Sequence, residues 1–516
     1  MRLCAGVLFP AARRYTTYLI LAERSITSSE SKKPAFARAK NTHMIRCIAL
    51  LLLLPSLLSA QKMFPADAVP EAIETIYNKI KNRHPYPATI QGLKALDAAR
   101  TQVQSEVKKT VDGRDSITYT EFVGLASPLQ KATNCGHLIL EPYLNTAANS
   151  AVRESHFPLH LIRVENGDYV LLPEMQTTTD SLPIGTVITA LNGQDISSVL
   201  EEIAPFSGIN DDGNDEALIY KVARSPMSLY QRYFGLQDSI VVTVKIATGT
   251  KKNYTILPKK VKYVDPKKNK TPIAKTLKFN FSEDGTTGVL TIKKFSSYKF
   301  SDGNYYKFIH HVFDTLNIAV IDQLIIDIRD NSGGNSSRIS TLYRYLSGRK
   351  FYFTAGARMT GPTRAQPNES PKTTRRREAG AVTRRDRKLQ RSLSKPIKPM
   401  KKNKVYSGKV VVLINEISFS ASGIFARMVQ GSGRGQLVGG VSGASANIMY
   451  GASKQGEPIL IGPDKNFELK VNTIGLIPEY PAPGNITPDH LVRATLAGIQ
   501  AGRDEQMEKA LEVVRE

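Results

Sequence analysis

Ser420 is the hydroxyl best placed in this chain for covalent chemistry. It lies in Ser418-Phe419-Ser420-Ala421-Ser422-Gly423, between an apolar run from Val410 to Ile414 and a stretch with helical spacing. A serine nucleophile needs exposure on a tight turn, a base within hydrogen-bond reach and backbone donors for an oxyanion. A strand-to-helix corner supplies the first, and a helix beginning near Gly423 would point free N–H groups back at the turn. The competing reading is that these serines only cap the helix, a role serine fills well. A second segment, Leu324-Ile-Ile-Asp-Ile-Arg-Asp-Asn-Ser-Gly-Gly-Asn335, reads as a strand buried on both faces through Leu324, Ile325, Ile326 and Ile328. It ends in a glycine-rich turn, where the N–H of Gly333 or Gly334 is open to a substrate because no Cβ stands in the way. Such a loop can also be a plain turn, and the phosphate-loop pattern G-x-x-x-x-G-K-[ST] is absent.

The elements that must position these residues are spread over a 516-residue chain, too long for one core and, with 41% apolar residues, rich enough to fold as two or three domains. The net charge of +24 is concentrated. Residues 1–43 carry eight Lys/Arg against two acids, and residues 364–404 carry fifteen against three. The 364–404 run reads as a flap or solvated insertion, with a polyanion-binding segment as the rival. Met44 to Ala60 (MIRCIALLLLLPSLLSA) has the pattern of a signal peptide: a start residue, one Arg, an apolar run too short to span a bilayer, then small residues. Residues 1–43 then read as a mis-assigned start or a basic leader. Export, periplasmic or secreted, is the expectation, with no stable membrane span after signal cleavage. Cys4 and Cys47 would leave with the leader, so Cys135 remains alone, and it reads as a buried small hydrophobe.

Residues 61–125 show apolar spacing of three and four and are expected to be an N-terminal helical segment. Residues 126–165 alternate as short strands. Residues 166–260 follow the order strand, turn, strand, Asn192-Gly193 turn, helix, strands, which resembles a PDZ-like domain, a module that takes an extended peptide at a sheet edge. Residues 275–516 return to α/β: Gly288-Val-Leu-Thr-Ile-Lys-Lys-Phe295, a helix around Tyr305 to Leu316, the two motifs above, and closing helices. The pair His156 and His160 lies in an extended stretch without the H-E-x-x-H acid, so metal binding is not expected there, and His310-His311 reads as the solvent face of a helix.

Together these segments resemble the tail-specific, C-terminal processing and tricorn-like serine peptidases. Asp327 to Gly334 matches that family's D-L-R-x-N-x-G-G, and Ser418 to Phe425 its S-x-S-A-S-E-I-F with Gly423 in place of the acid. Gly484 to Asp489 resembles its late G-I-x-P-D element. The resemblance covers roughly residues 125–510. It implies an α/β fold with a crotonase-like (ClpP-like) spiral core, a PDZ-like domain ahead of it, and Ser420 as nucleophile. In processing-peptidase members a Lys acts as base in a glycine-containing loop beyond the nucleophile, where this chain has Ser445; Lys454 would serve only if that loop were rearranged. Tricorn-like members instead use an upstream His and a late Glu, which points to His137 in Asn134-Cys-Gly-His-Leu138 and to Glu479, with Asp489 competing. A histidine accepts a proton near neutral pH, and a carboxylate orients it. The expected mechanism is acyl transfer at Ser420, with Gly333, Gly334 and Ala421 holding the oxyanion, a polypeptide as substrate, and no metal, cofactor or nucleic acid. The alternative is a catalytically inactive peptide- or ligand-binding scaffold of the same fold. Oligomeric state is not legible.

Overall fold

The computed structural model describes residues 62–516, apart from short stretches of which the longest are 144–150, 262–271, 360–386 and 452–458. The leader and signal segment, Lys454 and most of the basic insertion lie outside the described residues.

Three helices come first: α1 (Val69–Arg83), α2 (Ile90–Val111) and α3 (Tyr119–Lys131). Their apolar stripes, including Val69, Ile73, Ile76 and Ile80 of α1 and Phe122, Val123 and Leu129 of α3, close on one another. The start of α3 is fixed by a reciprocal capping box, in which Thr118 Oγ1 accepts the Glu121 N–H and Glu121 returns the bond to the Thr118 N–H. This helix runs across residues 125 and 126, so the helical segment extends further than the apolar spacing alone suggests.

An antiparallel sheet follows, built from β1 (Leu161–Arg163), β2 (Tyr169–Leu171), β3 (Val187–Leu191), β4 (Ile240–Lys245) and β5 (Lys251–Ile256), in the order β5-β4-β3-β2-β1. Its first hairpin straddles residues 165 and 166, and Asn192-Gly193 makes the tight turn the sequence suggests, both at positive φ. Helices α4 (Ile196–Ile203) and α5 (Asp215–Ala223) pack with this sheet through Val199, Leu200, Leu218 and Val222.

The second sheet has the order β6 (Leu277–Phe281), β7 (Thr287–Ile292), β8 (Gln323–Asp327), β9 (Lys409–Ile414), β10 (Gln436–Gly439) and β11 (His490–Leu491). Only β6 runs antiparallel to its neighbour. Helices α6 (Tyr305–Ile318), α7 (Ser336–Leu346) and α8 (Ala421–Gly431) pack on one face, and α9 (Glu505–Arg515) on the other. Strands covered on both faces should read as unbroken apolar runs; accordingly Leu324, Ile325 and Ile326 of β8 are fully buried. A separate strand at Ile139–Pro142 pairs with Phe467–Lys470. That pairing, in a small separate sheet, joins a segment from the first third of the chain to one near its end.

Candidate active site

The parallel strands β8 and β9 lie side by side, Asp327 opposite Leu413, so the turns that leave them also meet. Asn415 Nδ2 donates to Asp330 Oδ1 at 2.8 Å, and its Oδ1 accepts the Asp330 N–H at 2.9 Å. The Phe419 N–H reaches the Asn331 carbonyl at 3.1 Å. Asn331 Nδ2 donates to the Ile292 carbonyl at 2.8 Å. Ser418 Oγ donates to the Ile328 carbonyl at 2.8 Å and accepts the Asn415 N–H. Ser418 is therefore a structural stitch, and Ser420, two residues on, stands at the corner it ties down.

Ser420 is the N-cap position of α8, with φ 55° and ψ −119°. Its side chain makes no capping bond, which removes the competing reading that this serine caps the helix. A positive φ on a residue with a Cβ costs on the order of 1–3 kcal/mol and survives only where the surroundings impose it. The stitched loops do so here. The conformation lifts Oγ off the strand end, as at the strained strand-to-helix turns of hydrolytic serines. The helix starts at Ala421, two residues earlier than the sequence suggests, because Ser420 rather than Ser422 forms the corner.

Around Ser420 the backbone donors divide. The Gly333 N–H is held by Asn331 Oδ1 at 3.0 Å, so the expected Gly333 donor is already engaged. The Gly334 and Ala421 N–H groups have no partner among the described residues. Gly333 serves instead by lacking a side chain: it has φ +101°, and a Cβ there would stand 2.8 Å from Ala421 N and 2.9 Å from Ser420 Cβ, filling the space an oxyanion needs. Gly423, where the family motif has an acid, is equally constrained. A Cβ there would lie 2.4 Å from Ala444 Cβ and 3.0 Å from Met449 Cε, so no larger residue fits that face of α8.

His137 sits in the loop between α3 and the strand at Ile139, and its ring packs on Phe419 with 4.6 Å between centroids. The structure thus brings the upstream imidazole against the neighbour of Ser420. The ring makes no hydrogen bond among the described residues, and Nδ1 is buried without a partner. Beside it lie Cys135 and Asp211, the ligand-type atoms of all three falling within 4.8 Å of one another. Asp211 accepts the Gly136 N–H at 2.8 Å and the Ser445 N–H at 3.3 Å. Burial draws the His137 imidazole down to about 3, helped by the Lys221 ammonium. Burial pushes the Asp211 carboxyl up to about 7, against the pull of the Gly136 and Ser445 donors. Lys221 is itself depressed by burial, with Asp211 opposing, and its Nζ donates to the Ser207 carbonyl at 3.2 Å.

Glu479 is not part of this cluster. It accepts the Tyr352 N–H at 3.0 Å, closing the end of a short strand pair at Phe351–Tyr352. Asp489 accepts the Leu437 N–H at 2.7 Å, an equally structural bond. Sequence reasoning missed Asp211, which lies in the featureless run Asn210-Asp-Asp-Gly-Asn214 more than 70 residues from His137; nothing local marks it. Ser445, at the position of the family's Lys, turns its Oγ to the N–H groups of Asn447 and Ile448, a turn-stabilising role. The expectation for His310 holds in part: it is half-buried and paired with Asp314 at 2.7 Å, while His311 is exposed.

A strained serine at a strand-to-helix corner, followed by the unengaged Ala421 N–H and with an imidazole packed on its neighbour Phe419, has the features of a serine-hydrolase site. Residues 286–453, the segment that carries both motifs, match the model of Peptidase family S41. Among solved structures, mature CPAF superposes with a TM-score of 0.57 at 12% identity, over 87% of this chain and 97% of that one. Mature CPAF complexed with lactacystin gives 0.55 at 13% identity, over 87% and 98%. At such identities the likeness shows a shared mixed α/β peptidase fold. A search of curated proteins finds no match.

Proposed function

We propose that this chain is an exported serine endopeptidase that cleaves unfolded or C-terminal polypeptide segments by acyl transfer through Ser420. The observation that carries the reading is the corner itself: Ser420 held at positive φ, its side chain making no capping bond, at the start of a helix whose Ala421 N–H is unengaged. His137, neutral because it is buried, takes the Ser420 proton as Oγ attacks the scissile carbonyl, and the Gly334 and Ala421 N–H groups receive the oxyanion. His137 then returns the proton to the departing amine, and water reverses the steps to release the acyl group. Asp211 is the carboxylate that steadies the imidazolium, in place of Glu479, since it lies beside His137 while Glu479 closes a strand end.

The antiparallel sheet β1 to β5, with α4 and α5, is the PDZ-like unit, whose edge strands would take an extended peptide by strand addition. Its link to the site supports that role: Arg224, just past α5, donates to Asp330 Oδ2 at 3.0 Å, in the turn that carries Gly334. Export rests on the signal pattern at residues 44–60; among the described residues no helix is long and apolar enough to cross a membrane. The test is cleavage of casein and of a tailed unfolded substrate by the wild type and by Ser420→Ala. The reading requires the alanine variant to lose at least about 10³-fold in kcat/KM; equal activity refutes it.

A further inference from the structure

We propose that Cys135, His137 and Asp211 form a site for a divalent zinc-type cation, and that filling it switches the peptidase off. The inhibitory half rests on the reading of His137 as the general base; the site itself does not.

Three ligand types that suit zinc, a sulfur, an imidazole and a carboxylate, converge with their donor atoms within 4.8 Å of one another. Convergence alone is common. The second observation is that His137 Nδ1 is buried and has no hydrogen-bond partner, an arrangement that a native interior rarely tolerates without a role for the atom. The remaining contacts hold the other two ligands in place. Asn472 Nδ2 lies 3.6 Å from Cys135 Sγ, and the Gly136 and Ser445 N–H groups fix the Asp211 carboxylate, as second-layer donors orient ligands in metal sites. Lys221, held by the Ser207 carbonyl, places one positive charge nearby, which a thiolate and a carboxylate together outweigh.

Binding needs no redox step. The Cys135 thiol gives its proton to solvent, sulfur and Nδ1 each donate an electron pair, a carboxylate oxygen supplies the third ligand, and the fourth position of a tetrahedral ion is left for water. An imidazole bound through Nδ1 to a dication resists becoming an imidazolium, so it no longer takes the Ser420 proton. The metal would also engage Asp211, the carboxylate that the proposed cycle turns toward the imidazolium. The catalytic cycle itself uses no metal; occupancy is inhibitory.

The test uses the full chain carrying Cys4→Ser, Cys47→Ser and Ser420→Ala, so that Cys135 is the one thiol and self-cleavage cannot intervene. Titration with Co²⁺ should give one equivalent of binding with thiolate-to-cobalt charge-transfer absorption, displaced by Zn²⁺. Adding Asp211→Asn should weaken the Co²⁺ affinity by at least about tenfold while leaving the far- and near-ultraviolet circular dichroism unchanged. Binding without the charge-transfer band, or no binding, overturns the site. In the chain with Ser420 intact, Zn²⁺ should inhibit peptide cleavage reversibly on chelation, and Cys135→Ser should raise the inhibitory concentration at least about tenfold. Equal inhibition of the two overturns the switch. Should no variant cleave any peptide, the function proposed above fails while the cobalt spectrum still decides the metal site.

Discussion

In the mechanism proposed for Ser420 the chemistry depends on two acid–base partners whose burial moves them in opposite directions. His137 is drawn down to about 3 and Asp211 up to about 7. The imidazole is therefore in its base form throughout the working range, and the group that titrates near neutrality is the carboxyl. Above about pH 7 Asp211 is ionised and can stabilise the imidazolium; below it, the carboxyl is protonated and that help is lost. The acid limb of kcat/KM should accordingly fall near pH 7 in the wild type. In Asp211→Asn the plateau should drop by about 10²- to 10⁴-fold and this limb should vanish, whereas Glu479→Gln should change kcat/KM by no more than a few-fold. The reverse pattern would return the orienting role to Glu479. Of the proposed site, the corner at Ser420 and Ala421 and the turn at Gly334 were legible because strand, turn and helix signals surround them in sequence. His137 could be found only through resemblance. Asp211 was illegible, since only the folded chain brings it to the imidazole, and the Gly333 N–H is engaged by an asparagine two residues away, a detail of turn geometry that composition does not encode.

Among the elements, α8 decides how Ser420 is presented. Its face at Gly423 rests directly on the Ala444 methyl group, leaving no room for a Cβ. Alanine is a better helix former than glycine by about 1 kcal/mol, but the overlap with a buried Ala444 at 2.4 Å cannot be relieved by rotating a flexible side chain. Gly423→Ala should therefore destabilise the protein, by about 1–3 kcal/mol in urea unfolding; a stabilised variant would show that the helix stands off the turn. Gly333→Ala, by contrast, should abolish turnover, because its methyl group would occupy the space before the Ala421 N–H. Measured kcat within tenfold of wild type would exclude an oxyanion there. The parallel core was readable as elements from its unbroken apolar runs. The pairing of Ile139–Pro142 with Phe467–Lys470 was not, since strands this short carry no register signal. The start of α3 was written in Thr118 and Glu121, while its continuation to Lys131, through Pro128, carried no such signal.

For the whole molecule, the same buried groups set the response to acid. His84, fully buried, is held at about 3 by burial as His137 is, so the unfolded chain binds more protons at both histidines between about pH 6.5 and 3, and stability is lost as pH falls through that window. Asp211 and Glu416, both pushed up to about 7 by burial, act in the opposite sense: the folded chain holds their protons between about pH 7 and 4, and stability is gained as pH falls. The two effects oppose each other until the carboxylates are protonated in the unfolded chain as well. Melting temperature should stay nearly level from about pH 6.5 to 5 and fall steeply below about pH 4, approaching about 1.4 kcal/mol per pH unit for each histidine. A steep loss already between pH 6.5 and 5 in calorimetry would mean the carboxylates are less buried than described. The proposed mechanism has one centre, a serine made nucleophilic by an imidazole that arrives from far upstream. The most direct measurement is labelling of the full chain with a fluorophosphonate, with the modified residue mapped by mass spectrometry. The account predicts a single adduct on Ser420 that is lost in His137→Gln; an adduct on another residue, or undiminished labelling of Ser420 in that variant, would contradict it.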